Sequence, residues 1–385
     1  MFEQQLENLY QDLAYKLALQ GKISCYPNPA VGCLIVKDQQ IISLGFHKFA
    51  GTAHAERAAV LSLKERYPET WQDLIKGATA YVTLEPCAHF GRTPPCANLL
   101  ADCQVKKVVY LSADSTDKVN GKGVAILERA GIQVEFVPSA KCEKLNQDFF
   151  ALQQQERELP FIKIKIGASL DSKVALPNGN SKWITSPEAR SYVQGLRWQA
   201  DAILASAKTV IVDKAKYNLR YAEFPQIIQE HLAPEEVISP KLVLLDNSQQ
   251  LTGSEEVFAH HKREDIVIVS CQPHPLASAK EFAPSKFISG FDSHKPEQLK
   301  EILKQLKALG INNLLVETGS SLTNALIENR LFDQLHYFMA PKVLGSGLEA
   351  LRQEVEQTQI ADCLQLNLLY SQELSEDNLY LVYAK

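Results

Sequence analysis

The chain has 385 residues, a length that predicts two or three domains at roughly 150 residues each. Its 45% hydrophobic and 22% charged residues lie in the ordinary globular range, which excludes collagen-like, low-complexity and disordered classes. Forty Lys and Arg against 45 Asp and Glu give a formal net charge of −5. This balance argues against a broad basic face for long nucleic acids.

The N-terminal segment, residues 1–22, has apolar residues at helical spacing and lacks the continuous apolar core of a signal peptide. We therefore predict a first helix there. Apolar runs such as FIKIKIGASL are short, far below the roughly 18 residues that a membrane span needs. Eight cysteines without a secretory leader favour reduced thiols over a disulfide framework. We expect a soluble cytoplasmic protein with no membrane partner, in which cysteines are available for metal binding.

In the first half of the chain, short strands alternate with helices. AVGCLIV and the following II, around a polar KDQQ turn, predict a β-hairpin between Pro29 and Ile42. An amphipathic helix near residues 54–65 comes next, followed by the strand ATAYVTL, a helix in PPCANLLADC, the strand KKVVYLS and a helix in GKGVAILERAG. This order predicts a three-layer α/β/α sandwich around one sheet.

A domain boundary is expected between residues 146 and 158, within or after a predicted helix in KCEKLNQDFFALQQQERELP. The strands FIKIKIGASL, ADAILAS, KLVLLD, DIVIVS, NNLLVE and QLHYFMAP then alternate with helices near residues 187–198, 296–308 and 321–329. Residues 221–240 have no clear period and are predicted to form a surface excursion. We expect two α/β domains, residues 1–150 and 151–385.

His54, Cys87 and Cys96 form the strongest candidate metal site. Taken alone, such a histidine is more often a helix cap and such a cysteine a core side chain. The three residues together, in this order, favour a metal site instead. Two thiolates and one neutral imidazole on Zn²⁺ sum to zero formal charge and leave a fourth position for water, as in catalytic sites. A structural site needs a fourth protein ligand, and spacing alone leaves His89 and Cys103 open for that role.

Glu56 lies two residues after His54, on the first turn of a predicted helix, so its side chain is rotated about 200° from the histidine. It is therefore predicted to be a neighbour of the metal and not a ligand. A carboxylate there can take up a proton and return it to a leaving amine. The pattern is that of zinc nucleobase deaminases, although eight residues instead of two separate the cysteines.

Three longer segments resemble the signatures of the bifunctional riboflavin-biosynthesis deaminase/reductase family: PNPAVG (27–32), GFHKFAGTAHAE (45–56) and TLEPCAHFGRTPPC (83–96). The longer cysteine spacing with GRTPP inside it is that family's variant. FIKIKIGASLDSKVA, GNSKWITS, LRWQADAIL, TVIVDKAKYNLR and NNLLVETGSSLTNALI resemble its reductase half. The resemblance implies an N-terminal cytidine-deaminase-like α/β/α domain followed by a C-terminal dihydrofolate-reductase-like α/β domain.

The resemblance also implies two reactions. The first is zinc-dependent deamination of 2,5-diamino-6-(5-phosphoribosylamino)pyrimidin-4-one, and the second is NADPH-dependent reduction of the ribosyl chain to a ribityl chain. It supports zinc ligation by His54, Cys87 and Cys96 with Glu56 as the catalytic residue. The NADPH residues that it implies are Ala168, Trp183, Thr209, Asp213, Gly319, Ser320 and Ser321. The substrate residues that it implies are Asn28, Ser181, Arg197, Arg220 and Glu317.

One phosphate site is predicted independently of the resemblance. The strand LLVE leads through Thr318 and Gly319 into Ser320, Ser321 and a helix. Backbone amides at a helix N-terminus favour a phosphate, here the pyrophosphate of a dinucleotide. Ser321 taken alone is more often only an N-cap. A GxGxxA match at residues 345–350 lacks the βαβ context of a dinucleotide fingerprint and is predicted to be a turn.

Several single residues keep two interpretations each. Arg197 and Arg220 suit a substrate phosphate, because a guanidinium binds it bidentately, but either could form a surface ion pair. Lys165 could relay a proton, or it could lie on an exposed strand face. His47 and His89 are candidates for substrate contact or ordinary loop histidines.

Three departures from the family pattern concern function. Ser172 stands where the family has Gly, Lys214-Ala215 replace Asp-Pro after Asp213, and residues 112–123 lack the usual Asp-Pro-Asn-Pro. These substitutions leave open an enzyme with only one activity. Two further alternatives are a tRNA or DNA base deaminase and a nucleotide-binding regulatory or structural zinc protein. The net charge and the large second domain argue against the base deaminase, and Glu56 with the open metal position argues against the zinc protein. We expect small-molecule substrates, no nucleic acid, and a homo-oligomer, either a dimer or a tetramer.

Overall fold

A computed structural model describes residues 2–88, 94–114, 121–154, 156–352, 358–375 and 378–385. The chain divides into two compact units, Met1–Gln154 and Gln155–Lys385. Among the residues described, no helix combines the length and the apolar character needed to cross a membrane.

The first unit is built on one five-stranded sheet with helices on both faces. Its elements are α1 (Phe2–Gly21), β1 (Gly32–Lys37), β2 (Gln40–Phe46), α2 (Ala55–Arg66), α3 (Trp71–Ile75), β3 (Thr79–Val82), α4 (Cys96–Asp102), β4 (Lys107–Tyr110), α5 (Lys122–Arg129), β5 (Gln133–Phe136), α6 (Ala140–Leu145) and α7 (Gln147–Gln153).

The strand order of this sheet is β2-β1-β3-β4-β5, in which β1 is antiparallel to both neighbours and β3, β4 and β5 are parallel. Alternate residues of each strand enter different cores, as the two-residue period of a strand requires. Cys33 and Ile35 pack with α2 to α5, whereas Leu34 and Val36 pack with α1 and α6. The predicted three layers are confirmed.

The predicted hairpin, first helix and helix near residues 54–65 are confirmed in this unit. The short elements α3 and β5 were not predicted. The single helix predicted after residue 140 is wrong, because the chain breaks at Asn146 into α6 and α7. The Asn146 side chain accepts a hydrogen bond from the Ala30 N–H (2.8 Å) and donates one to the Ala30 carbonyl (2.9 Å). This pair of bonds ties the break to the start of β1.

The second unit is also α/β and has a nine-stranded sheet. Its elements are β6 (Phe161–Ser169), β7 (Lys173–Ala175), α8 (Pro187–Gln199), β8 (Ala202–Ser206), α9 (Ala207–Asp213), α10 (Gln226–Gln229), β9 (Lys241–Leu245), β10 (Ile266–Ser270), β11 (Lys286–Ser289), α11 (Pro296–Ala308), β12 (Asn313–Val316), α12 (Ser320–Glu328), β13 (Gln334–Ala340), β14 (Leu348–Glu349), β15 (Asn367–Ser375) and β16 (Asn378–Ala384).

The order of the large sheet is β11-β10-β9-β8-β12-β6-β13-β16-β15. All neighbours from β11 to β13 are parallel, and β16 is antiparallel to both β13 and β15. Strand β12 returns late in the chain and inserts between β8 and β6. The carboxyl ends of these three strands therefore meet at one sheet edge, at a change of chain direction where ligands bind in open α/β sheets.

Two predictions about loops have different outcomes. Residues 221–240 do not simply cover the surface: they include α10, and Phe224 and Ile228 are buried. The GxGxxA segment begins with a turn, as predicted, in which Gly345 has a φ of 66°, but its Leu348 and Glu349 form strand β14, which was not predicted. Its first residue, Gly345, donates its N–H to Asp171 at 2.8 Å.

Candidate active sites

The first candidate site joins three separate elements of the first unit. His54 is the N-cap of α2, Cys87 follows β3, and Cys96 is the first residue of α4. Their ligand atoms all lie within 4.8 Å of one another, and Nδ1 of His54 lies 3.5 Å from each sulfur. Cys103 lies instead in the hydrophobic core and outside this group, and His89 lies outside the described residues.

The three side chains also interact electrostatically. Hydrogen bonds from the Cys96 thiol and from His54 lower the pKa of Cys87, against the effect of burial. The same bond to Cys87, together with burial, raises the pKa of Cys96. One imidazole nitrogen and two sulfurs at these distances form a donor set that suits Zn²⁺ and leaves one tetrahedral position for a non-protein ligand. The residues present therefore fit a zinc ion.

Glu56 lies beside this group but is not a member of it. It occupies the first turn of α2, is 3% exposed, and lies close enough to the Cys96 thiol to interact with it. Burial and the neighbouring Cys87 raise the pKa of Glu56 to about 7. A carboxyl group with that pKa can both hold and release a proton near neutral pH.

Asn28, in the loop before β1, is connected to this site through His47, whose ring centroid lies 5.3 Å from that of His54. Its Nδ2 lies 3.0 Å from Nε2 of His47, whose Nδ1 lies 3.1 Å from the Ala53 carbonyl. Because a carbonyl can only accept, His47 Nδ1 must donate, so Nε2 accepts from Asn28. This leaves Oδ1 of Asn28 as an acceptor for an amino group. Both ring nitrogens of His47 have partners, as in the ordinary loop histidine.

The second candidate site lies at the carboxyl edge of β8, β12 and β6. Ala168 is near the end of β6, Thr209 and Asp213 are in α9 after β8, and Gly319 precedes α12 after β12. Four of the residues expected to bind NADPH are thus brought to one edge by the strand order.

Trp183 and Ser181 lie in the exposed segment between β7 and α8. The indole of Trp183 is 66% exposed, and the guanidinium of Arg190 lies 4.3 Å from its ring centroid. Burial raises the pKa of Asp213 while the charge of Lys182 opposes it. Since Lys182 acts on Asp213, the exposed segment lies near the end of α9.

The start of α12 corrects one alternative for Ser321. Gly319 is the N-cap, no side chain caps the helix, and Ser320 and Ser321 are its first two residues. The interpretation of Ser321 as the N-cap is therefore wrong. The first backbone N–H groups of α12 have no partner within the helix, as at every helix start.

Arg197 and Glu317 form a buried pair at this edge. Nε and Nη2 of Arg197 donate to the two carboxylate oxygens of Glu317, at 2.5 and 3.0 Å. Nζ of Lys165 lies 3.5 Å from the same carboxylate. Although burial opposes ionisation, these two cations lower the pKa of Glu317 to about 2.

This geometry separates the two arginines. The interpretation of Arg197 as part of a surface ion pair is wrong, because the ion pair that it forms with Glu317 is buried, with side chains only 12% and 6% exposed. It is right for Arg220, which binds Glu223 at 2.7 and 2.8 Å with both side chains at least 40% exposed. The exposed-face alternative for Lys165 is also wrong, because β6 is an interior strand and this side chain is 25% exposed.

Sequence reasoning missed Tyr217, which is 4% exposed and whose hydroxyl donates to the Glu317 carbonyl at 3.1 Å. No local signal distinguishes it, because its partner is 100 residues away.

Two departures from the family pattern are residues with left-handed backbone conformations: Ser172 has a φ of 60° and Lys214 a φ of 49°. Part of the third departure, residues 115–120, lies outside the described residues.

Two family models match this chain. The RibD C-terminal domain matches residues 160–380, and the cytidine and deoxycytidylate deaminase zinc-binding region matches residues 4–112. Over 370 residues the chain is 36% identical to the riboflavin biosynthesis protein RibD of Haemophilus influenzae, covering 96% of this chain and 95% of the relative. It is 35% identical to RibD of Escherichia coli, covering 90% of each.

Solved structures match over the same length. Acinetobacter baumannii RibD, form 1, is 34% identical with a TM-score of 0.65 and 99% of each chain covered. A Thermotoga maritima diaminohydroxyphosphoribosylaminopyrimidine deaminase/5-amino-6-(5-phosphoribosylamino)uracil reductase is 27% identical, also with a TM-score of 0.65 and 99% coverage of each. These matches confirm the predicted order of a deaminase-like and a reductase α/β domain. The chain belongs to the RibD family of bifunctional deaminase/reductases in riboflavin biosynthesis.

Proposed function

We propose that this chain deaminates 2,5-diamino-6-(5-phosphoribosylamino)pyrimidin-4-one and then reduces the ribosyl chain of the product, giving 5-amino-6-(5-phosphoribitylamino)uracil. The observation that carries the first step is the buried Glu56 beside the group formed by His54, Cys87 and Cys96. The substrate assignment is supported by relatives whose names state these activities. The residue roles are supported by the geometry of each unit.

In the first unit, His54, Cys87 and Cys96 would hold the zinc ion. When bound, zinc supplies a water of lowered pKa at the open position. As a water oxygen adds to the ring carbon that bears the amine, the carboxylate of Glu56 accepts a proton from that water. It then donates this proton to the amino group, which leaves as ammonia when its bond to the carbon breaks. The position of Glu56 on the first turn of α2, beside the three ligands, suits both directions of this transfer. Oδ1 of Asn28 accepts a hydrogen bond from the pyrimidine edge and orients the ring.

In the second unit, NADPH supplies the hydride. Ala168, Trp183, Thr209, Asp213 and residues 319–321 would bind it, and the amides at the start of α12 suit its pyrophosphate. Ser181, Arg197, Arg220 and Glu317 would bind the deaminated substrate. Arg220 suits the phosphate better than Arg197. Its ion pair with Glu223 is exposed and weak, so a phosphate can replace Glu223, whereas the partner of Arg197, Glu317, is buried.

The deciding experiment is a coupled assay on the purified protein with the diaminopyrimidinone substrate. We expect ammonia release with and without NADPH, and NADPH oxidation only after deamination. Glu56→Gln should keep its zinc and lose ammonia release by about 10²- to 10⁴-fold, the usual contribution of a general acid-base group. Zinc content is measured by metal analysis of the same preparations.

Glu65→Gln is the matched control, because Glu65 is an exposed carboxylate on the same helix α2. It should retain both zinc and activity. A normally active Glu56→Gln protein would remove Glu56 from the mechanism. Ammonia release without any NADPH oxidation would mean that the second unit is not a working reductase.

A further inference from the structure

Tyr217 lies where the proposed NADPH and substrate groups of the second unit meet. Its hydroxyl donates to the backbone carbonyl of Glu317 at 3.1 Å. The side chain of Thr209, whose hydroxyl hydrogen-bonds to Ser206 at 2.9 Å, lies close enough to interact with the same phenol. Thr209 belongs to the proposed NADPH set and Glu317 to the proposed substrate set, so one phenol oxygen connects the two.

The ring of Tyr217 also contacts the substrate side. The guanidinium carbon of Arg197 lies 5.6 Å from the centroid of this ring, within the range of a cation–π interaction. Nε and Nη2 of Arg197 donate to the Glu317 carboxylate, and Nη1 donates to the carbonyl of Asn218 at 3.3 Å. Arg197 is thus held between a ring, a carboxylate and a carbonyl, and the ring and the carbonyl come from consecutive residues.

The backbone of Tyr217 supports a specific role for this arrangement. Its φ is 52°, a left-handed conformation that is unfavourable for a bulky side chain. Such residues persist where surrounding contacts fix them, and they cluster at functional sites. Tyr217 is 4% exposed, and burial raises the pKa of its phenol, so the hydroxyl remains a donor at neutral pH.

We infer that Tyr217 is a positioning residue of the reductase: its hydroxyl holds Thr209 and the Glu317 backbone in register, and its ring supports Arg197. This inference rests on the proposed function of the second unit. Because the hydroxyl touches groups of both sets, its removal weakens binding of NADPH and of the deaminated substrate together. A merely structural hydroxyl would lower protein stability without changing these two constants.

The test uses Tyr217→Phe, which keeps the ring under Arg197 and removes only the hydroxyl. We expect the KM for the deaminated substrate and the Kd for NADPH, followed by its fluorescence, each to rise about 5-fold, the usual effect of one lost hydrogen bond. Ammonia release by the same protein should be unchanged. Tyr217→Leu, which also removes the ring, should lower kcat/KM of the reduction further.

Tyr221→Phe is the matched control. The Tyr221 hydroxyl donates to the carbonyls of Gln229 and Leu232, at 3.1 and 2.8 Å, away from Thr209 and Glu317. This variant should leave both constants at wild-type values. Wild-type constants in Tyr217→Phe, or a change in only one of them, would overturn the inference while the wild-type reductase activity still stands. A wild-type protein that reduces nothing would overturn the proposed function instead.

Discussion

The protonation state of a single residue, Glu317, depends on partners that are far away in the sequence. Arg197 is 120 residues before it, and Lys165 lies on a different strand. Both cations stabilise the ionised carboxylate in a site where burial alone would favour the neutral acid. Removing the carboxylate would leave the Arg197 guanidinium buried without a counter-charge.

We predict that Glu317→Gln lowers the free energy of unfolding at pH 7 by about 3–5 kcal/mol, the cost of breaking a buried ion pair from one side. The pKa of Glu317 is lowered to about 2 in the folded state, against about 4.3 when unfolded. Its contribution to stability is therefore complete above pH 4.3 and is lost as the pH falls towards 2. Urea unfolding followed by circular dichroism at pH 7 and pH 3 measures both effects.

The difference between wild type and Glu317→Gln should shrink at the lower pH. Glu301→Gln is the control, since Glu301 is on α11 with a side chain that is 41% exposed. It should match wild type at both pH values. A difference that stays constant with pH would contradict the assigned ionisation of Glu317.

At the residue scale, the sequence predicts those site residues whose grouping depends on short spacings along the chain. His54 and Glu56 are two residues apart, and Cys87 and Cys96 lie in one short segment, so their grouping follows from known motif spacing. The Arg197–Glu317 pair and the Tyr217 hydroxyl depend on long-range packing, which leaves no local pattern. Gly319 as the N-cap was missed because serine is the commoner capping residue.

At the scale of elements, the position of α2 decides the geometry of the first site, because α2 carries Glu56 and begins at His54. It packs closely on β2 at Gly45. A Cβ atom added to Gly45 would lie 2.4 Å from the Ala59 nitrogen and 2.6 Å from the Ala55 carbonyl oxygen, both backbone atoms of α2. No side chain fits there without moving the helix.

We predict that Gly45→Ala displaces α2, lowers the free energy of unfolding by about 1–3 kcal/mol and reduces ammonia release and zinc content. Thermal unfolding, metal analysis and the ammonia assay measure these changes. Leu44→Ala is the control, because the neighbouring Leu44 is 49% exposed and its truncation leaves no cavity. Unchanged zinc content and activity in Gly45→Ala would show that α2 can tolerate the extra methyl group.

The elements themselves were predictable where the hydrophobic period is strong. Helix α11 begins and ends where predicted, at Pro296 and Ala308, and the interior strands β8, β9 and β10 were all predicted. The last hairpin, β15 and β16, was not predicted. Strand β15 is an edge strand with many exposed residues and a weak apolar pattern, whereas β16 is an interior strand that was missed although every second residue is buried. The break at Asn146 depends on a contact with Ala30, more than 100 residues away.

At the scale of the whole molecule, the order of strands could not be derived from periodicity. Seven parallel strands allow many arrangements, and the insertion of β12 between β8 and β6 is a property of the folded sheet. That insertion brings residues from three distant segments to one edge. The motifs predicted which segments are functional, and only the sheet order explains why Thr209 and Glu317 share a neighbour.

Each candidate site is assembled from residues of one unit. His54, Cys87 and Cys96 belong to Met1–Gln154, and Arg197 and Glu317 belong to Gln155–Lys385. We therefore predict that the two activities can be removed separately. Cys87→Ser should lose zinc and ammonia release while still oxidising NADPH with the deaminated substrate, and Arg197→Gln should lose the reduction while still releasing ammonia.

An equimolar mixture of these two inactive variants provides the decisive measurement. Because each variant keeps one intact site and the deaminated intermediate is a small molecule that diffuses, the mixture should convert the diaminopyrimidinone to the ribityl product after a lag. The control is each variant alone, which should stop after zero or one step. Loss of NADPH oxidation in Cys87→Ser supplied with the deaminated substrate would mean that the first site supports the second, and the two units would then have to be treated as one catalytic body.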